Sequence, residues 1–177
     1  MLVSISGVGG AGKTSTAEAL ARRMKWKLVK LNDLARKLNA YTGYDRKRKS
    51  KIVSMAKLAM GLRKLSKEHD NLIIEGLYAH EFPADISVVL RCRPDALEKR
   101  LKKKYTWPTK ITENAEAEMI GLITAEALGG RKSRILYEID TTKLTAAKTA
   151  AIIEKMIAAA SKRKKMKYAA GRIDWMR

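Results

Sequence analysis

The sequence has a single cysteine, Cys92, and no uninterrupted apolar run of membrane-spanning length. A lone cysteine cannot form an internal disulfide, and because Cys92 follows a predicted strand we expect a small packed residue rather than a reactive thiol. A transmembrane helix needs about 20 apolar residues, and the N-terminal apolar stretch shows no signal-peptide pattern. We therefore expect a cytoplasmic protein that contacts no membrane.

Acidic residues are also scarce, with 18 Asp+Glu against 38 Lys+Arg and a formal net charge of +20. Between Arg22 and Lys64 there are fifteen basic residues and only two acidic ones, and residues 162–167 form a second basic cluster. A mononucleotide needs few cations, so the excess indicates a polyanionic partner, most simply RNA, bound by phosphate neutralisation. Solvated helix faces in a generally basic proteome are the alternative explanation.

The most informative motif is Gly7-Val8-Gly9-Gly10-Ala11-Gly12-Lys13-Thr14, which matches G-x-x-x-x-G-K-[ST] in full. Apolar residues predict a buried strand before it and an amphipathic helix after it. Such a loop points backbone N–H groups into one concavity at the positive end of a helix, which suits a triphosphate. We expect Lys13 to reach the phosphates and Thr14 to be a ligand of Mg²⁺. A glycine-rich turn that binds nothing is the alternative.

Two further segments carry candidate site residues. A strand at 27–31 is followed by a helix that begins near Asn32 or Asp33, with Arg36 about one turn in. Ligands of open α/β sheets bind at the carboxyl edge of the strands, so Arg36 could clamp a second phosphate group, or it could be a surface arginine without a role. The strand at 72–75 ends in Glu75, which we expect beside Mg²⁺ and its waters, with a structural ion pair as the alternative.

The remaining pattern alternates strands and helices. Tyr41–Asp45 is predicted as a turn-rich loop, 76–83 as a loop over the nucleotide edge, and Tyr105–Lys110 as a short lid. Helices are predicted at about 52–68, 94–104, 112–128 and 145–160, and strands at 86–90 and 135–140. This order predicts an α/β fold: a P-loop NTPase three-layer sandwich with a five-stranded parallel sheet. We expect one domain over 1–161 and a basic tail over 162–177, either docked or free until a partner orders it.

Several motifs together resemble a known family. Six segments and the P-loop are similar, in order, to the small adenylate kinases of the isoenzyme six family: Asn32–Arg36, Gly43–Asp45, Ile74–Gly76, Val89–Arg91, Leu97–Leu101 and Lys110–Asn114, while Gly171–Trp175 resembles its archaeal branch. The resemblance implies a fold of the nucleoside monophosphate (NMP) kinase type with a short lid, a Mg²⁺ cofactor, and transfer of the γ-phosphoryl of ATP to AMP, giving two ADP. It also implies an intrinsic ATPase and a role in maturing the small ribosomal subunit.

The resemblance also assigns residues to roles. It implies an NMP-binding region at about 30–53, a lid at about 103–113, and catalytic roles for Lys13, Glu75 and Lys104. The ATP-binding residues would be Gly9, Gly10, Ala11, Gly12, Lys13, Thr14, Ser15 and Lys104. The NMP-binding residues would be Asp33, Arg36 and Arg91. Thr14 would bind the metal ion directly, and Glu75 would bind it through water. We expect a monomer or a weak dimer whose partners are rRNA and a small-subunit ribosomal protein.

Two positions depart from the family pattern. Leu77 stands where the family usually has a histidine, and the nearest histidine is His80. Lys104 stands where the lid normally has an arginine, and lysine supplies charge without a planar bidentate fork. We therefore expect slow turnover. The rival hypothesis is an ATPase switch in ribosome assembly with little or no NMP kinase activity, and a different small-molecule kinase would fit the core motifs but not the lid and tail.

Overall fold

The protein is described here by a computed structural model that covers residues 1–46, 50–103, 106–162, 164 and 166–176. Strands and helices alternate along most of the chain. In chain order they are β1 (Leu2–Ser6), α1 (Lys13–Met24), β2 (Lys27–Lys30), α2 (Leu31–Lys37), β3 (Tyr41–Asp45), β4 (Ser50–Val53), α3 (Met55–Glu68), β5 (Leu72–Glu75), β6 (Ala84–Arg91), α4 (Pro94–Lys102), α5 (Pro108–Met119), α6 (Leu122–Gly130), β7 (Ser133–Asp140) and α7 (Ala146–Ser161).

The central sheet has five parallel strands in the order β2-β5-β1-β6-β7, which confirms the predicted α/β class and strand number. The three inner strands β5, β1 and β6 are buried on both faces because helices cover both. On β5, Ile73 belongs to the apolar core that includes α1 and α7, whereas Leu72 and Ile74 belong to a second core with α2 and α3. The carboxyl ends of the strands therefore meet at one edge, held between two packed layers.

The region between α2 and α3 is an antiparallel hairpin of β3 and β4, separate from the main sheet. The prediction of a turn-rich loop at Tyr41–Asp45 was wrong, because pairing such as Tyr44 with Lys51 gives the segment extended structure. Residues 47–49, in the predicted basic run, lie outside the described residues. Helix α3 begins at Met55 rather than Ile52 because the Ser54 side chain accepts a hydrogen bond from the Lys57 backbone and caps it.

The predicted lid contains more helix than expected. Helix α5 begins at Pro108, not near Thr112, because proline is well suited to the first helical position. The predicted single helix towards Leu128 is divided at Gly121, whose φ of 65° ends α5 and precedes α6. Lys104 lies outside the described residues, so its predicted catalytic and ATP-binding roles stay predictions.

Cys92 is fully buried, as predicted, and burial raises the pKa of its thiol. The described part of the C-terminal segment docks on the domain: Ala169 forms an antiparallel bridge with Tyr137, and the Glu138 backbone N–H donates to the Tyr168 carbonyl at 2.9 Å. The segment therefore covers the edge strand β7. Among the described residues, no helix combines the length and apolarity needed to cross a membrane.

Candidate active site

The P-loop crosses the carboxyl edge of the sheet between β1 and α1. Gly7 has a φ of 138°, and a Cβ there would lie 2.4 Å from the Leu90 carbonyl oxygen. Gly10 has a φ of 83°, and a Cβ there would lie 2.9 Å from methyl groups of both Leu97 and Leu101. Only glycine fits these two positions, because the loop combines left-handed backbone with close packing against β6 and α4.

Helix α1 begins directly after this loop, with Gly12 as its N-cap and no capping side chain. Its first N–H groups therefore point into the loop concavity, as anion binding requires. The Lys13 ammonium donates to the Val8 carbonyl at 2.8 Å and so lies over the loop. Thr14 and Ser15, the next two residues of the first turn, are both exposed.

Thr14 and Glu75 meet at this edge because β5 is hydrogen-bonded beside β1 in the sheet. The Thr14 hydroxyl lies 3.3 Å from each carboxylate oxygen of Glu75. Glu75 is only 7% exposed; burial raises the pKa of its carboxyl, and the Lys13 ammonium opposes that shift. A hydroxyl and a carboxylate are hard oxygen ligands of the kind Mg²⁺ prefers, so the two residues predicted to hold the metal fit it chemically.

Strand β2 brings further charges to the same edge. Lys30 pairs in register with Glu75 across β2 and β5 and donates to Glu18 of α1 at 2.6 Å. On α2, Arg36 forms an ion pair with Asp33 at 3.1 Å, with 73% of the Arg36 side chain exposed. Exposed pairs of this kind are weak. The ion pair with Asp33 therefore restrains Arg36, which lies in the predicted NMP-binding region, only weakly.

The geometry does not support the prediction that Arg91 binds the monophosphate. Its side chain is 2% exposed, and its guanidinium contacts Glu118 at 2.6 Å and Glu138 at 2.5 Å. These carboxylates come from α5 and β7. Arg91 is therefore occupied by ion pairs within the protein, although its place at the end of a strand had led us to expect that it binds a ligand. The correction follows from tertiary packing, because neither carboxylate is near Arg91 in sequence.

His80 is not brought to the P-loop either. It lies in a short 3-10 helix (Ala79–Glu81) that packs against β1, β6 and α6. The His80 imidazole is buried, with Nε2 3.4 Å from carboxylate oxygens of both Glu81 and Glu126. The structure therefore gives no support for His80 in the place of the family histidine, and Leu77, which occupies that position, is partly exposed.

Two residues that sequence reasoning missed contact the P-loop. Arg100 of α4 donates to the carbonyls of Thr141 and Thr142 at 2.9 Å and approaches the Gly10 carbonyl at 3.5 Å. Asn114 of α5 accepts a hydrogen bond from the Gly9 backbone N–H at 2.7 Å. The sequence signal for these two residues was only their place in the Leu97–Leu101 and Lys110–Asn114 motifs, and those motifs do not say what the side chains contact.

The chain is similar to known proteins over almost its whole length. Residues 3–121 match the family model described as AAA domain. A protein from Methanosarcina acetivorans, named "Putative adenylate kinase", is 37% identical, and the alignment covers 99% of this chain and 98% of that protein. A protein of the same name from Methanocaldococcus jannaschii is 29% identical, and the alignment covers 99% of this chain and 93% of that protein.

Solved structures share the fold at low sequence identity. Shikimate kinase from Acinetobacter baumannii in complex with shikimate superposes with a TM-score of 0.61 at 16% identity, covering 93% of this chain and 95% of that one. Deoxyadenosine kinase from M. mycoides gives a TM-score of 0.57 at 13% identity, and the superposition covers 90% of this chain and 100% of that one. At these identities the similarity establishes the architecture and not the substrate.

Proposed function

Because the chain belongs to the AAA domain family of P-loop proteins and is similar to archaeal proteins named "Putative adenylate kinase", we propose that it is a nucleotide kinase. The reaction is ATP plus AMP to two ADP. The observation that carries the proposal is the meeting of Lys13, Thr14 and Glu75 at the carboxyl edge of the sheet. Together they offer a triphosphate cation, a metal-binding hydroxyl and a carboxylate within one site.

In this reaction a phosphate oxygen of AMP attacks the γ-phosphorus of ATP, the bond from that phosphorus to the β–γ bridging oxygen breaks, and ADP leaves. Phosphoryl transfer is catalysed mainly by positioning and charge neutralisation. The P-loop N–H groups and Lys13 would hold the triphosphate, and Thr14 and Glu75 would hold Mg²⁺. When bound, the metal ion neutralises charge on the phosphate oxygens. Glu75 needs to be ionised for this role; burial raises the pKa of its carboxyl, and the Lys13 ammonium opposes that shift.

The acceptor would lie near α2 and the β3–β4 hairpin. Arg36 is exposed there at the start of the NMP-binding region, so we propose it as the contact of the AMP phosphate. Asp33 accepts a hydrogen bond from Arg36 at 3.1 Å, and because this exposed pair is weak the AMP phosphate would compete for Arg36. The motifs that resemble the isoenzyme six family support AMP as the acceptor, and the loss of the family histidine at Leu77 supports slow turnover.

A second candidate function is an ATPase step in assembly of the small ribosomal subunit, with rRNA and a ribosomal protein as partners. The observation that favours it is the distribution of cations: every described lysine and arginine from Arg22 to Lys64 is exposed, except the half-buried Lys30. A mononucleotide contacts only a few of these. The remaining cations suit an RNA backbone. The two functions are compatible, because the mononucleotide site uses few of these cations and leaves the others for RNA.

The deciding experiment is chromatographic quantitation of ATP, ADP and AMP after incubation of the pure protein with Mg-ATP, with and without each monophosphate. We expect AMP to be consumed and two ADP to appear for each ATP lost. Lys13→Ala should abolish all turnover; retained hydrolysis would remove the P-loop from the reaction. If ATP is lost at the same rate with and without AMP and no AMP is consumed, the ATPase function replaces the kinase.

A further inference from the structure

Helix α5 contacts two distant parts of the chain on one turn. Asn114 accepts a hydrogen bond from the Gly9 backbone in the P-loop at 2.7 Å. Four residues later, Glu118 Oε1 accepts from the indole Nε1 of Trp175 at 2.8 Å. Residues four apart are neighbours on a helix surface. The helix therefore links the phosphate-binding loop to the C-terminal segment 166–176, which we call the strap.

The strap end of this link is buried and charged. Glu118 is 2% exposed, and its Oε1 also accepts from the Arg91 guanidinium at 2.6 Å and from the Cys92 backbone at 3.1 Å. Burial raises the pKa of the Glu118 carboxyl, and Arg91 and the Trp175 indole oppose that shift. The Trp175 hydrogen bond therefore helps to compensate a buried charge, and losing it would disturb the position of α5.

The strap itself is held by a second buried carboxylate. Glu138 Oε2 accepts hydrogen bonds from three consecutive backbone N–H groups, those of Gly171, Arg172 and Ile173, each at 3.1 Å. The Arg91 guanidinium carbon lies 5.8 Å from the centre of the Trp175 ring. These contacts fix the strap against β6, β7 and α5 together.

At the other end, Asn114 has little freedom. Its Nδ2 donates to the Lys110 carbonyl at 2.7 Å, which fixes the orientation of the carboxamide. A Cβ built on Gly9 would lie 2.7 Å from Asn114 Oδ1, so the loop and the helix are already close. Hydrogen bonds weaken steeply with small changes in distance and angle. A small shift of α5 would therefore either lose the Gly9 contact or displace the loop.

We propose that the strap positions the nucleotide site, with Trp175 acting through Glu118 and α5 to hold Asn114 against Gly9 of the P-loop. Trp175 and Asn114 are then positioning residues for phosphoryl transfer. The inference rests on the proposed function for its kinetic consequence, but not for its structural one. A partner that lifts the strap would lower transfer without touching either substrate.

The test uses the full chain with Trp175→Phe, which keeps an aromatic ring and removes the N–H donor, and with Asn114→Ala. We expect each variant to reduce kcat/KM for ATP by about two- to tenfold. The double variant should be no slower than the slower single variant, because both changes break one link. Met176→Ala on the strap and Glu116→Gln on α5 are the matched controls; both side chains are exposed, and both variants should behave like the wild type.

A second readout does not depend on catalysis. In ¹⁵N–¹H spectra of the nucleotide-free protein, Trp175→Phe should shift the Gly9 amide resonance, and Met176→Ala should not. An unmoved Gly9 resonance, or kinetic effects that multiply in the double variant, would overturn the proposal. If the wild type binds ATP but transfers no phosphoryl group, the proposed function fails, and the Gly9 resonance still decides the role of the strap.

Discussion

The guanidinium of Arg91 and the carboxylate of Glu138 lie 2.5 Å apart across neighbouring strands, with 2% and 1% of their side chains exposed. Thr124 also donates to the same Glu138 oxygen at 2.7 Å. A buried ion pair of this kind requires further hydrogen bonds to offset the cost of desolvation. Arg91 is therefore part of the structural centre that joins β6, β7, α5 and the strap.

We predict that Arg91→Leu destabilises the protein by about 3–5 kcal/mol, because two buried carboxylates lose their cation. Urea unfolding measures this loss. The KM for AMP of the folded variant should stay close to that of the wild type. Arg93→Ala, which removes an exposed arginine beside Asp95, is the control and should change stability little. A large rise in the KM for AMP with unchanged stability would restore Arg91 to the substrate site.

Glu75→Gln should raise the stability of the nucleotide-free protein at neutral pH and lower its activity. The raised pKa means that the fold favours the protonated carboxyl, so the stability contribution of Glu75 falls as pH rises through the folded pKa. At neutral pH without nucleotide, Glu75→Gln should therefore raise Tm, where 1 kcal/mol corresponds to about 2–4 °C for a chain of this size. The gain should shrink as pH falls and the wild-type carboxyl becomes protonated.

The same variant should lose phosphoryl transfer by about 10²-fold or more, because the amide cannot orient the metal waters or attract a proton. Glu75→Asp keeps the carboxylate and should retain more activity than Glu75→Gln. Thermal unfolding at several pH values and initial rates in Mg-ATP are the two measurements. Equal activity of wild type and Glu75→Gln would exclude Glu75 from the metal site.

Arg36→Ala should raise the KM for AMP by about tenfold or more, because a charge-assisted contact with the acceptor phosphate is lost. Basal ATP hydrolysis should not change, since Arg36 lies outside the P-loop. Lys37→Ala is the matched control: it removes the adjacent exposed cation of the same helix. Equal AMP dependence in both variants would show that Arg36 is only a surface residue.

The basic surface should bind RNA with strong salt dependence. For six to ten phosphate contacts, affinity falls by about 10³–10⁵ between 50 and 200 mM salt. Filter binding or fluorescence anisotropy with an unstructured RNA measures the slope. Replacing Arg63 and Lys64 together by glutamate should reduce the slope of this salt dependence. Lys132→Glu, which lies outside the Arg22–Lys64 segment, should change the slope less. A flat salt dependence would argue against an RNA partner.

Much of the fold and part of the site follow from local sequence. The P-loop, the buried strands and the amphipathic helices were recognisable because their signals lie within a few consecutive residues: a glycine pattern, an apolar run or a helical period. The position of Glu75 at the carboxyl edge of the sheet was recognisable for the same reason, since Glu75 ends an apolar run, whereas its role beside Mg²⁺ stays a prediction.

Only the tertiary structure decided how the other candidates are used. The contact of Gly9 with Asn114 spans 105 positions in sequence, and that of Arg91 with Glu138 spans 47. No local pattern encodes such distances, because the contacts exist only after the sheet has set β6, β7 and α5 side by side. The sequence by itself determined the class of fold and the phosphate-binding loop. Packing decided that Arg91 is structural, that Asn114 contacts the loop, and that the strap is docked.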